Sequence, residues 1–312
     1  MTIAMTNSGQ TYSHEKDDLD IYLDNWEPSL NLNYATLPQN LNDAYIRKRF
    51  VDNLQNDTVV PRTAYARGIK VMSKQELQFR GYEFFEGNQS RWSAEFRNEA
   101  LSEGVPEEKL DTFLLAFAED WIDGAARRQN SSVMMAIKAS IRDYDAAIKQ
   151  SAAGKYVINS IDSGITALFE PHEMAKILEL NNRFIEAYFP DYLDYLGNDA
   201  PRSLDELYVR RGVYMETQQT FRRELHYLSS YSLALGPVEQ FAQQYTPSTE
   251  GRGTPTIFSG PISAIQDRVV AFAPFIENMS ISQLEFVIAP PLQEITLKYH
   301  EEHGGIHEYS FS

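Results

Sequence analysis

The chain contains no cysteine. Disulfides, thiolate catalysis and cysteinyl metal sites are therefore excluded, and the composition suits either a reducing cytosol or a protein that is unfolded for export. Positive charge is also scarce, because 28 Lys and Arg side chains face 44 Asp and Glu, for a net charge of −16. Since proteins bind phosphate backbones through excess positive charge, this balance disfavours nucleic acid and other polyanionic partners.

Long apolar runs are missing as well. No window reaches the roughly 18 uninterrupted apolar residues of a membrane span, so no span is expected. The N-terminus lacks a cationic patch followed by an apolar core, so no standard signal peptide is expected either. With 312 residues, of which 43% are hydrophobic, the chain can bury a sizeable core. The composition predicts a soluble globular protein of one large or two modest domains.

The sequence pattern of the first part of the chain predicts helices. Residues 1–14, rich in Ser, Thr and Asn, are predicted to be disordered, and residues 1–105 form a mainly helical N-terminal region of unknown role. Apolar periodicity and stop signals predict helices over residues 41–54, 74–101, 106–121, 131 to a stop at Gly154, and 172–189 with a stop at Pro190.

The sequence pattern changes after residue 201 to short β-rich runs separated by Gly and Pro. These runs predict strands over residues 207–215, 227–233, 269–275, 284–289 and 295–299. Residues 246–260, rich in Gly, Pro, Ser and Thr, predict a flexible surface loop. Helices come first and strands follow, which is typical of an α+β fold.

Three short polar motifs follow one another in the strand-rich half, each within or at the start of a predicted strand. They are Arg210-Arg211-Gly212, Ser229-Ser230-Tyr231-Ser232 and Gln283-Leu284-Glu285. Each motif alone is common in loops and amphipathic strands, but their order resembles the arginine, Ser-x-Ser and (Gln or Glu)-x-Glu signature of mono-ADP-ribosyltransferases of the cholera-toxin-like clade. The run Ser-Gln-Leu-Glu before an apolar strand and two prolines is most similar to the Rho-modifying clostridial exoenzymes.

The resemblance covers residues 207–299 directly and extends to the helices from residue 106. It implies that residues 106–312 form an α+β core in which two small sheets pack around a cleft for NAD. NAD is then the substrate, and no metal is implied. The resemblance also implies a toxin or effector that is secreted or delivered into a host-cell cytosol, with a resident cytoplasmic enzyme as the alternative.

Chemistry explains why a carboxylate is needed in such a cleft. Cleavage of NAD at the nicotinamide ribose passes through an oxocarbenium-like state, which a nearby carboxylate stabilises more than it stabilises the ground state. Glu285 is the candidate for this catalytic carboxylate. Ser230 is predicted to orient it by hydrogen bonding and Ser232 to brace the turn, both beside the NAD, while Ser229 is the alternative one register away.

An arginine fork can hold the phosphates and ribose of the dinucleotide. Arg211 matches the family position because it stands directly before the flexible Gly212, and Arg210 is the neighbouring alternative. Tyr231, at the centre of Ser-x-Ser, departs from the threonine that the family usually carries.

The neutral Gln283 bears on the choice of acceptor. It lies two residues before Glu285 and is expected to share its face of the strand. In the resembling family this position presents the acceptor, and a neutral amide makes arginine a disfavoured target. By resemblance, enzymes with Gln-x-Glu modify asparagine on small GTPases or, in a separate group, guanine bases. The net charge favours a protein acceptor.

Other interpretations compete with the transferase. Water could replace the acceptor in the same cleft, which would give an NAD glycohydrolase, or the chain could be a non-catalytic adaptor. Residues 300–307 contain three histidines that fit either a zinc site or a solvated hairpin. The aromatic segment 184–195 fits either a partner surface or core packing, and the acidic cluster 17–20 is predicted to be a solvated charge run.

Overall fold

The computed structural model of the chain describes residues 2–5, 11–13, 74–121, 131–151, 164–196, 201–215, 228–243, 253–281, 283–292, 295, 297–303 and 305–311. Among the described residues, the long helices precede the seven strands of one mixed sheet, so the predicted α+β class is confirmed. The helix predicted over residues 41–54 and the acidic cluster at residues 17–20 lie outside the described residues. Within the segment predicted to be disordered, strands β1 (Thr2–Met5) and β2 (Thr11–Ser13) pair antiparallel.

In the part of the chain that the structure describes, four helices come before the main sheet. They are α1 (Lys74–Ser102), α2 (Glu107–Glu119), α3 (Ser132–Ala147) and α4 (Pro171–Leu196). The start of α3 follows from its N-cap, because the Ser131 hydroxyl accepts a hydrogen bond from the backbone N–H of Met134 at 3.2 Å. No helix in the described part of the chain is long and apolar enough to cross a membrane.

Helix α4 continues through Pro190, where the sequence analysis wrongly predicted a stop. A proline inside a helix removes one backbone hydrogen bond, at a cost of about 3 kcal/mol. Tertiary packing offsets this cost, because Phe189, Tyr192 and Leu196 are all buried on both sides of the proline. The ring of Tyr192 lies 4.7 Å from that of Phe85 on α1. The aromatic segment is therefore mainly core.

Seven strands form one mixed sheet in the order β6-β7-β4-β3-β5-β9-β8. Their bounds are β3 Tyr208–Met215, β4 Ser229–Ser232, β5 Thr254–Pro261, β6 Val269–Phe272, β7 Glu285–Ile288, β8 Lys298–His303 and β9 Ile306–Ser310. A short helix, α5 (Leu235–Ala242), follows β4. The predicted strand over residues 295–299 overlaps only the first residues of β8.

Strand β5 occupies residues 254–260 of the predicted surface loop, whose residues 246–252 lie outside the described residues, so the loop prediction is wrong for residues 254–260. It lies between β3 and β9 in the sheet and is buried from Thr256 onwards. Its Thr, Ile and Phe side chains favour strands, and its prolines lie near its ends, where they cost few ladder hydrogen bonds. Gly260 is needed because a Cβ there would lie 2.1 Å from the ring of Phe311.

The last two strands form a hairpin. β8 and β9 pair antiparallel around Gly305, whose φ of 82° suits a glycine in a tight turn. The hairpin interpretation of residues 300–307 is thus confirmed for the backbone. Among the described residues, no group of three or more His, Cys, Asp or Glu side chains could hold a metal ion.

The sheet consists of two halves with a narrow join. β3 pairs with β5 along its whole length but with β4 only at Arg210 and Ser232. One half is therefore β6-β7-β4 and the other is β3-β5-β9-β8. Strands β3 to β9 thus form one paired sheet, and the predicted core of two small sheets is not confirmed.

Helix α1 shares the core of the residues that follow it. Phe85 contacts Phe272 of β6 at 5.3 Å between ring centroids, and both belong to the largest buried apolar cluster. The Gln89 side-chain amide also donates to the carbonyls of Ile276 and Met279, at 3.1 and 2.8 Å. The core therefore continues across the boundary predicted at residue 105.

A partly buried ion pair between α2 and α4 predicts a pH-dependent stability. Burial alone would raise the pKa of Glu173, but hydrogen bonds from Lys109 Nζ at 2.6 Å and from the Glu170 backbone N–H at 2.8 Å outweigh it, so the pKa lies below the ordinary 4.5. A lowered folded-state pKa stabilises the fold above the unfolded-state value, and this contribution is lost as pH falls through the folded-state value. We expect Lys109→Met to reduce the free energy of unfolding at pH 7. Urea titrations should show the difference from wild type shrinking below about pH 4. A difference that grows in acid would contradict this.

Candidate active site

The join between the two halves of the sheet brings three motif residues into line. Arg210 on β3 lies opposite Ser232 on β4, and Ser232 lies opposite Glu285 on β7. Residues directly opposite each other in an antiparallel ladder project to the same face of the sheet. The three motifs, separated along the chain, therefore meet at one place.

A cavity of about 240 Å³ opens at this join. All six residues predicted for the site line it, together with the alternative arginine and a wall of mainly apolar side chains. The predicted residues are Arg211, Gly212, Ser230, Ser232, Gln283 and Glu285, and the others are Trp121, Arg210, Leu228, Tyr231, Pro237, Val238 and Phe241. Ser229, the alternative to Ser230, does not line it.

Glu285 is the carboxylate of the cavity. It is the first residue of β7 and only 8% exposed. Its Oε1 accepts a hydrogen bond from the indole Nε1 of Trp121 at 2.8 Å. The same indole N–H lies 3.1 Å from the Ser230 hydroxyl oxygen. Ser230 and Glu285 are thus linked through Trp121, where the sequence analysis predicted a direct hydrogen bond.

Ser232 braces the turn that carries Gln283. Its hydroxyl donates to the backbone carbonyl of Gln283 and lies 3.0 Å from that of Ala234, while it accepts from the Ala234 backbone N–H at 2.8 Å. These contacts join the end of β4 to the start of β7. The predicted bracing role of Ser232 agrees with this geometry.

An unusual backbone angle separates Gln283 from Glu285. Leu284 has a φ of 46°, in the left-handed region that costs a non-glycine residue roughly 1–2 kcal/mol. Burial of the Leu284 side chain, which is 2% exposed, offsets this cost, and its backbone N–H bonds the carbonyl of Ile281 at 2.9 Å. The turn, rather than the pleat of a strand, therefore brings both polar side chains to the cavity.

Both arginines of the first motif reach the cavity. Arg211 is partly exposed, and its Nη1 donates to the backbone carbonyl of Ser230 at 3.3 Å. Arg210 is 1% exposed, and its Nη1 donates to the carbonyl of Tyr208 at 3.2 Å. Two arginines of β3 and Glu285 of β7 thus line the same cavity, with β4 between the two strands.

The sequence analysis missed Trp121 as a site residue and placed it only at the end of the helix predicted over residues 106–121. A signal was present, because a buried indole usually finds a partner for its N–H. Trp121 also stands at the end of its predicted helix. It also missed the wall formed by Leu228, Pro237 and Val238.

No protein-family model, curated protein or solved structure matches the chain.

Proposed function

We propose that the chain is a mono-ADP-ribosyltransferase, which transfers ADP-ribose from NAD to a protein side chain and releases nicotinamide. One observation supports this most strongly: residues of three motifs, selected from the sequence by their resemblance to the transferase signature, line a single cavity. A concave site lined by a carboxylate, arginines and hydroxyl groups is the arrangement expected of an active site.

The cavity would hold the nicotinamide ribose end of NAD. Its volume of about 240 Å³ is below the roughly 300–1,000 Å³ of pockets that enclose whole drug-sized ligands. The apolar wall around Val238 and Phe241 suits the flat nicotinamide ring. Arg211 would bind the phosphates as a bidentate donor, with the neighbouring Arg210 as the alternative.

In the proposed reaction, the bond between ribose C1′ and the nicotinamide nitrogen breaks first. Nicotinamide leaves as a neutral molecule with the bonding electron pair, and Glu285 stabilises the oxocarbenium ion that remains. The acceptor then forms a new bond to C1′ and releases a proton to solvent. The two halves of the sheet would serve as the two walls of the cleft, in place of two separate small sheets.

Gln283 would present the acceptor. Its side chain lines the cavity beside Glu285, and an amide can both donate to and accept from another amide. This chemistry suits a neutral acceptor such as asparagine on a target protein. A toxin or effector that acts in another cell's cytosol is the setting that we propose, with a resident cytoplasmic enzyme as the alternative.

Transfer of label from adenylate-labelled NAD tests the proposal. Purified protein is incubated with it in buffer, in eukaryotic lysate and in bacterial lysate, and both labelled bands and free nicotinamide are measured. We expect labelled bands in at least one lysate. NAD loss without bands would indicate a glycohydrolase, and neither NAD loss nor bands in any lysate would leave a non-catalytic adaptor.

Substitution of Gln283 separates transfer from hydrolysis. Because Gln283 is proposed to hold the acceptor and not NAD, Gln283→Ala should lower protein labelling by about 10- to 100-fold. Nicotinamide release in buffer should stay within about threefold of wild type. The ratio of the two rates is the measurement. Equal losses in both would show that Gln283 acts on NAD cleavage itself.

A further inference from the structure

Trp121 connects the helical part of the chain to the carboxylate of the cavity. Helix α2 ends at Glu119, and the backbone N–H of Trp121 still bonds the carbonyl of Ala116 at 3.1 Å. The indole is 4% exposed and packs on Phe117, with 5.8 Å between ring centroids. From this anchored position its single N–H reaches Glu285 across 164 residues of sequence.

A contact with the next helix also fixes the position of Trp121. The Ser131 hydroxyl, at the N-cap of α3, lies 2.5 Å from Oδ2 of Asp120, the residue before Trp121. The end of α2 and the start of α3 are thus fixed to each other. A donor held by packing and by a hydrogen-bonded neighbour can set the direction of a flexible side chain.

The described part of the chain offers a comparison with a purely structural tryptophan. Trp92 is also fully buried, and it stacks on Tyr188, but its Nε1 has no hydrogen-bond partner among the described residues. Packing alone therefore accounts for Trp92. At Trp121 the N–H instead lies between a carboxylate and a hydroxyl that both line the cavity.

We propose that Trp121 is a positioning residue for the reaction: its indole N–H holds the Glu285 carboxylate and the Ser230 hydroxyl in the orientation that cleaves NAD. This inference rests on the proposed function. A hydrogen bond to one carboxylate oxygen fixes the plane of the carboxylate, and it favours the ionised form that an oxocarbenium ion needs. The helical lobe thereby completes a site whose other polar residues come from the strands and their flanking turns.

Kinetics of Trp121→Phe test this role, with Trp92→Phe as the matched control. Both changes remove an indole N–H and keep an aromatic ring, but only Trp121 uses its N–H at the site. We expect Trp121→Phe to lower kcat for nicotinamide release by about 10- to 100-fold with KM for NAD within about threefold of wild type. Trp92→Phe should leave kcat within about twofold of wild type. If wild type is active and a folded Trp121→Phe variant is equally active, the inference about Trp121 fails while the proposed function stands.

A spectroscopic test works without turnover. The chain has three tryptophans, so ¹⁵N-labelled protein gives few indole N–H signals, which single Trp→Phe variants assign. We expect Glu285→Ala to move the Trp121 signal strongly upfield and to leave the Trp92 signal in place. An unmoved Trp121 signal would overturn the inference even if Trp121→Phe failed to fold. A wild type that consumes no NAD would overturn the proposed function, and the catalytic role of Trp121 with it.

Discussion

Glu285→Gln should reduce NAD cleavage and protein labelling by about 10³-fold or more. The change removes the negative charge that is proposed to face the oxocarbenium ion, while it keeps the size of the side chain. Its amide oxygen can still accept the hydrogen bond that Trp121 Nε1 now donates at 2.8 Å. The expected loss is therefore electrostatic rather than structural. Nicotinamide release and label transfer measure it directly.

A buried glutamate outside the cavity provides the control. Glu308 on β9 is 3% exposed, and it does not line the cavity. We expect Glu308→Gln to keep turnover within about threefold of wild type. Melting temperatures of both variants show whether a loss comes from unfolding. If folded Glu285→Gln retained wild-type turnover, Glu285 would not be the catalytic carboxylate and the transferase proposal would fail.

The candidate residues could be predicted because the order of three short motifs resembles the signature of a known transferase family. Polar residues that interrupt mainly apolar runs, such as Ser230, Ser232 and Glu285, carry that resemblance. The register that aligns them depends on strand order, and sequence pattern does not contain strand order. Trp121 was missed for the same reason, because its partner lies 164 residues away.

The errors in the predicted fold have a common physical origin. Pro190 favours the end of a helix, and the Gly and Pro residues of the β5 segment favour a loop. An isolated peptide would follow both of these local preferences. In the folded chain, burial of aromatic rings around Pro190 and of Ile257 and Phe258 in β5 outweighs the local preference. In helix α2 the local preferences and the burial agree, so its apolar periodicity was sufficient to predict the helix.

Gly212→Ala should destabilise the fold by about 3 kcal/mol or more. A Cβ at this position would lie 1.7 Å from the backbone oxygen of Val238 and 2.7 Å from the backbone nitrogen of Ala242. Both atoms belong to the backbone of α5, and no change of rotamer can move a Cβ. Strand β3 or the whole helix must shift. Urea unfolding of wild type and variant measures the loss.

The same substitution should also lower turnover, because α5 carries Val238 and Phe241 of the cavity wall. Gly87→Ala is the matched control, since Gly87 lies at an exposed position of α1 and a Cβ there meets nothing within 4 Å. In a helix interior, alanine is favoured over glycine by roughly 0.5–1 kcal/mol, so Gly87→Ala should stabilise the protein and leave turnover unchanged. If both variants unfolded alike, close packing of α5 on β3 would not be what requires Gly212. If Gly212→Ala lost stability but kept full activity, the α5 wall would not shape the site.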